Sequence, residues 1–226
     1  MRKFWNFKNS ADENRVLELN GTIAEEGWYN DDVTPEEFRA ELMKESGDIT
    51  VMINSPGGDC VAASRIYAML RDYPGKVTVK IDGLAASAAS VVAMAGDTVQ
   101  MVPTAMMMIH NPSTVAWGDH VDLERAVSML DEVKESIINA YEIKTGISRK
   151  QLSKMMEEET WMNAKKAVEF GFADEETGSD GAQAYAFSAM SVARNFTNKI
   201  SEKAQKPDGA KVSDLRNALY ERLLKF

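Results

Sequence analysis

Apolar positions along the chain recur with two periods, and the switches between them mark out the elements. Val16-Leu17-Glu18-Leu19-Asn20-Gly21-Thr22-Ile23 alternates for a few positions and stops at a glycine, which predicts a short strand and a turn. Thr34-Pro35-Glu36-Glu37 then carries a helix start, with Thr34 as cap, Pro35 in the first turn and Glu37 closing a capping box, so a helix should run to about Lys44. Asp48 to Asn54 is a strand rich in β-branched residues that runs into the tight turn Ser55-Pro56-Gly57-Gly58. Ala62, Ile66, Met69 and Leu70 return to helical spacing until Pro74-Gly75.

The same unit then repeats. Lys76 to Gly83 reads as strand and glycine, and the Ala-rich run from Leu84 to Ala95 as a buried helix. Thr98 to Val102 and Ala105 to Ile109 predict two short strands around Pro103. From Val121, the positions Leu123, Ala126, Val127, Leu130, Ile137, Ile138 and Tyr141 form the apolar stripe of a long helix that Thr145-Gly146 stops; such a stripe suits packing within or between subunits. Strand, glycine turn and helix in repetition predict an α/β domain. After Asp174 periodicity is lost as far as Gly209. Val212, Leu215, Leu219 and Leu223 then recur on one face, predicting a linker and a terminal amphipathic helix.

Composition narrows the function classes. The 226 residues are 44% apolar and 27% charged, enough for a core without disulfides or metal. Twenty-six Lys and Arg against 35 Asp and Glu leave a net charge of −9, the wrong sign for a phosphate-binding surface, so nucleic acid is not the expected partner. One cysteine and two histidines cannot assemble a Cys/His zinc cluster or an intrachain disulfide, a usage that fits a reducing, cytoplasmic compartment. The N-terminus lacks the apolar run of a signal peptide, and no stretch of about 18 apolar residues spans a membrane.

Two small-residue loops lie at predicted strand ends, where α/β folds present their sites. One is Ser55-Pro56-Gly57-Gly58-Asp59. In the other, Gly83-Leu84-Ala85-Ala86-Ser87-Ala88-Ala89-Ser90, a strand turns into a helix with Ser87 near its start, beside the positive end of the helix and among small neighbours. This resembles a nucleophile elbow although Gly-x-Ser-x-Gly is absent, and on composition alone Ala and Ser there are ordinary packing residues. A serine needs a base, and His110 follows the strand Met106 to Ile109 directly. His120, at the mouth of the long helix, reads instead as a capping or surface histidine. Cys60, the rival nucleophile, lies inside a helix without a basic neighbour before Arg65 and reads as a small buried thiol. Met106, Met107 and Met108 lie on a strand, so they cannot all face one side and suit core filling better than metal binding.

Ile53-Asn54-Ser55-Pro56-Gly57-Gly58, Gly83-Leu84-Ala85-Ala86-Ser87, Met108-Ile109-His110-Asn111-Pro112 and Trp161-Met162-Asn163-Ala164 through Asp174 occur in this order. Together they resemble the proteolytic subunit of Clp protease over about Val16 to Asp174. The resemblance implies the ClpP/crotonase fold of repeated ββα units, a serine peptidase mechanism without cofactor or metal, and assembly into homo-oligomeric rings, heptamers that stack as a tetradecamer. Residues 1–15 then form an N-terminal segment, 16–174 the protease domain and 175–226 the linker and terminal helix.

Carried over by motif, Ser87 is the nucleophile and His110 the general base, and Gly58 and Ala88 supply the backbone N–H groups of the oxyanion hole. The family's third member is an aspartate after the long helix. Here Glu159 stands at that place, a departure, and Glu157 and Glu158 could slide into register or the three could form a solvated acidic run. Activity should fall as pH drops through the imidazole pKa, about 6 to 7.

Trp28 to Pro35, Glu159-Thr160-Trp161 and the extended tail are similar to ClpP-like head-maturation proteases of phages and prophages, which would make capsid or scaffold protein the substrate and a bacterial host cytoplasm the location. The alternative is a general proteolytic subunit working with an AAA+ ATPase. A ring-forming structural protein without catalysis is a reading from another class, opposed by the intact Ser87 and His110. Acyl-CoA chemistry on the same fold is opposed by that pair and by the small side chains around Ser87.

Overall fold

The computed structural model describes residues 3–9, 15–23 and 35–177, which fall within one compact unit, Met1–Tyr185. In chain order the elements are β1 (Trp5–Asn9), β2 (Arg15–Asn20), α1 (Pro35–Leu42), β3 (Ile49–Ser55), α2 (Cys60–Arg71), β4 (Val77–Ala86) and α3 (Ala88–Ala93). They continue with β5 (Thr98–Met101), β6 (Met106–Ile109), α4 (His120–Thr145), α5 (Arg149–Glu157), β7 (Thr160–Asn163), α6 (Ala164–Glu169) and β8 (Glu175–Glu176). The α/β class expected from the alternation of strand and helix is observed. The Thr34 cap and the terminal amphipathic helix lie outside the described residues.

Strands β2, β3, β4, β5 and β8 pair in that order, all parallel, and β1 joins β2 antiparallel at the edge. Every second residue of β2 and β3 is buried: Leu17 and Leu19, then Ile49, Val51 and Ile53. This period of two puts one face of the sheet against the helices. Helix α2 answers with Ala62, Ala63, Ile66, Met69 and Leu70 in the same core. Asp59 caps that helix by accepting the Ala62 N–H at 2.6 Å. At the other end of the sheet Trp5 packs edge-on against Phe38 of α1, ring centroids 5.3 Å apart, so the N-terminal segment contributes a strand and an anchor to the domain.

The decisive feature is a fork in β4. Thr78 to Ile81 pair with β5, whereas Leu84 to Ala86 leave β5 and pair with β6, with Ala86 opposite Met108. This corrects the helix expected from Leu84 to Ala95: the strand runs on through Ala86 and the helix spans only Ala88 to Ala93. The small side chains at Leu84-Ala85-Ala86 are buried on both sides, so burial in a sheet outweighs the helical preference of alanine.

The long helix also differs from its stripe. Ile137, Ile138, Ala140 and Tyr141 are buried, but Val121, Leu123, Val127 and Met129 in the first half are 45 to 59% exposed within the described residues. Asp119 and Asp122 close a capping box at its start, and Gly146, at φ 68°, ends it in the left-handed conformation that glycine adopts freely. Beyond Asp174, β8 adds Glu175 and Glu176 to the edge of β5, and the Thr177 N–H reaches Met101 O at 2.9 Å.

Candidate active site

The fork in β4 and the register of β6 bring together residues far apart in the chain. Ala86 stands opposite Met108 and the Ser87 N–H donates to Met108 O at 2.9 Å, so Ser87 emerges beside the end of β6. His110 follows β6 there, and its Nε2 lies 2.7 Å from Ser87 Oγ. Both side chains are half-buried, shielded yet reachable from solvent. Ser87 itself has φ 56° and ψ −126°, a conformation that a side chain rarely tolerates and that turns its hydroxyl out of the strand.

Gly57 and Gly58 complete one wall. A Cβ on Gly57 would stand 2.6 Å from Ala86 O, 2.8 Å from Ser87 Cβ and 2.9 Å from Ala88 N, so this loop can back onto the serine only as glycine. Gly58 bridges Ile23 in parallel, with Ile23 N–H bonded to Gly57 O and Asp59 N–H to Ile23 O. In that pattern the N–H of Gly58 itself points away from Ile23. Ala88 begins α3, where the first amides have no partner within the helix. The Gly58 and Ala88 amides expected from the motifs therefore belong to the two chain segments that converge on Ser87.

Antiparallel pairing of β6 and β7 sets the third position. Ile109 pairs with Thr160 at the end of the ladder, and His110 and Glu159 are the residues that flank this last pair. Glu159 sits in a left-handed turn at φ 48° between α5 and β7, and it is exposed. Its carboxylate accepts the Trp161 indole N–H at 3.1 Å and acts on His110 through its charge. The neighbouring glutamates are engaged elsewhere: Glu157 bonds Lys134 Nζ at 3.0 Å and Ser153 Oγ at 3.1 Å, and Glu158 lies 3.7 Å from Lys154 Nζ.

Burial lowers the His110 pKa from its ordinary value and the Glu159 charge partly opposes this, so the ring is neutral at neutral pH and free to accept a proton. The Cys60 thiol moves the other way: burial, then the Asp59 charge, pushes its pKa up, as expected of an inert thiol at the start of α2. His120 is 82% exposed at the first position of α4, with its Nε2 3.5 Å from Glu124 Oε1. Among the described residues no group of three or more His, Cys, Asp and Glu side chains stands together as a metal site, and no helix is long and apolar enough to cross a membrane.

One part of the cluster has no signal in the sequence. Ser90, fully buried, donates its hydroxyl to Ser87 O at 2.6 Å and lies 2.8 Å from the Tyr141 hydroxyl on α4. No local pattern around Ser90 marks a partner 51 positions away.

This chain is similar to known proteins over the same region. The ATP-dependent Clp protease proteolytic subunit 1 of Chlamydia muridarum is 33% identical over 138 residues, 59% of this chain and 72% of that protein. The ATP-dependent Clp protease proteolytic subunit of Bacteroides fragilis is 30% identical over 156 residues, 66% of this chain and 75% of that protein. A solved structure of a ClpP1 mutant from Listeria monocytogenes superposes with a TM-score of 0.63 at 23% identity, covering 74% of this chain and 93% of that one, a likeness of fold. The family model for Clp protease matches residues 4–178, which takes in the fork of β4, both glycines and the turn at Glu159. On that extent of match the chain belongs to the Clp protease family and is a serine peptidase.

Proposed function

We propose that the chain is the proteolytic subunit of a Clp-type protease, cleaving protein or peptide through Ser87 with His110 as general base. The observation that carries this reading is the 2.7 Å contact of Ser87 Oγ with His110 Nε2 on a backbone held in a sparsely populated conformation. Ser87 Oγ attacks the scissile carbonyl carbon as His110 Nε2 takes its proton, which requires the ring's own proton to sit on Nδ1. The carbonyl oxygen gains negative charge and is held by the N–H groups of Gly58 and Ala88. His110 then gives the proton to the leaving amine as the C–N bond breaks, and water releases the acyl group by the reverse path. Glu159 stabilises the imidazolium by its charge, from beside the last pair of the β6–β7 ladder.

Oligomerisation fits the exposed apolar half of α4. Leu123 and Val127, four residues apart on one face of α4, are exposed apolar side chains of the kind that another subunit covers, and the family resemblance makes that assembly a ring. The relatives' names favour a general subunit working with an AAA+ ATPase over head maturation. The narrower head-maturation reading draws on residues 28–35, of which 28–34 lie outside the described residues, on the tail, described only as far as Thr177, and on Glu159 to Trp161. Labelling with a fluorophosphonate tests the common chemistry: the wild-type chain should react and Ser87→Ala should not. Cleavage of a generic unfolded protein dependent on an added ATPase supports the first reading, and cleavage confined to capsid or scaffold protein without it supports the second. Sedimentation as a monomer would remove the ring.

A further inference from the structure

We propose that Ser90 and Tyr141 form a buried hydroxyl relay that positions Ser87 and ties the nucleophile turn to helix α4. The inference rests on the reading of Ser87 as nucleophile. A backbone at φ 56° and ψ −126° persists only where its surroundings over-determine it. Three bonds do so here: Ser87 N–H to Met108 O at 2.9 Å, Ser90 N–H to Ser87 O at 3.0 Å, and Ser90 Oγ to Ser87 O at 2.6 Å. The first comes from the sheet. The other two both end on one carbonyl and both come from Ser90.

Proton counting fixes the direction of the relay. Ser90 has a single hydroxyl proton and gives it to Ser87 O, so in its 2.8 Å contact with Tyr141 the phenol must be the donor. The order is Tyr141 O–H to Ser90 Oγ, then Ser90 O–H to the carbonyl of Ser87. A bond received by Ser90 polarises the bond it makes, so Tyr141 strengthens the hold on Ser87 without touching it. Burial keeps the Tyr141 phenol protonated, with its pKa driven well above the usual range, so the donor is present throughout the working pH.

Folding alone gives no reason for these hydroxyls. Ser90 is 0% and Tyr141 1% exposed, and the Tyr141 ring already packs against Phe172 at 5.4 Å. Apolar residues at both positions would leave no polar group unsatisfied. What the pair adds is a fixed distance between the turn that carries Ser87 and the buried half of α4.

The experiment uses the full chain and reads kcat and KM on a short peptide together with the second-order rate of fluorophosphonate inactivation. Tyr141→Phe keeps the ring and removes the donor; kcat should fall roughly tenfold with KM unchanged, and the phosphonate rate by the same factor. Ser90→Ala should fall further, and the double variant should fall no further than Ser90→Ala because Tyr141 acts only through Ser90. Ser90→Ala leaves a buried phenol without an acceptor and could fail to fold, whereas the double variant removes both groups and should keep the wild-type near-ultraviolet circular dichroism. Wild-type kcat and phosphonate rate in Tyr141→Phe overturn the relay whatever Ser90→Ala does, and so does a double variant whose loss is the product of the two single losses. Ser87→Ala, run beside them, separates the two readings. If it still hydrolyses peptide, the nucleophile assignment falls; if it is inactive while Tyr141→Phe is unimpaired, only the relay falls.

Discussion

Ser87 follows three consecutive buried residues of β4 and precedes a helix whose six residues are all buried, whereas Glu159 stands exposed in a turn and bonds an indole N–H. Both have positive φ, but the strain is held differently. At Ser87 the sheet, Ser90 and the glycines behind it leave no alternative. At Glu159 the constraint is the turn from α5 into β7, where the Glu159 N–H reaches Met156 O at 3.2 Å. The two ends therefore tolerate change differently: a carboxylate in solvent has room for one more methylene, while a side chain at Gly57, behind Ser87, would stand under 3 Å from Ala86 O, Ser87 Cβ and Ala88 N.

Breaking the buried end should have the largest effect. Ser87→Ala should lower peptide hydrolysis by about 10³-fold or more while leaving the fold intact, measured as kcat/KM with circular dichroism as control. Gly57→Ala should follow at roughly 10²-fold, because the new methyl must displace Ala86 O, Ser87 Cβ or Ala88 N and a small misplacement of a reacting group is costly. A Gly57→Ala enzyme with wild-type kcat would show that the glycine wall is not part of the machinery.

The exposed end should give less. Glu159→Gln should cost about tenfold, well short of the ~10⁴ lost when a buried triad aspartate is neutralised, because solvent screens the charge and the contact with His110 is electrostatic. The pH profile sharpens this. With His110 as the proposed base, activity needs its neutral form, and burial holds its pKa below the ordinary ~6.5, so the wild-type acid limb should lie below that value rather than across the range about 6 to 7 expected from the residue type. The Glu159 anion raises that pKa, so its removal destabilises the imidazolium and the limb should move to still lower pH. A limb that moves up would mean another carboxylate faces the ring. Glu157→Gln and Glu158→Gln should change kcat by less than about twofold, since their charges are spent on Lys134 and Lys154 at the surface. His120→Ala, at an exposed helix start, should leave rate and profile unchanged.

Much of this was legible in residue order, because it depends on local pattern. Alternation in Leu17 to Leu19 and Ile49 to Ile53 fixes strands, Asp48 to Gly58 a strand and turn, and Gly146 a helix end, each within a few residues of the signal that sets it. The motifs around Ser87 and His110 could be read for the same reason: each lies at the end of its own strand. What no local pattern could decide is which strand lies beside which. Leu84 to Ala86 favours helix by propensity and becomes strand because β6 arrives to pair with it; that pairing brings Ser87 to His110, and the separate pairing of β6 with β7 brings Ile109 to Thr160. The bond between Ser90 and Tyr141 and the pairing of Glu157 with Lys134 belong to the same class. They are contacts between segments distant in sequence, and they form where burial of the whole sheet outweighs what each segment would do alone.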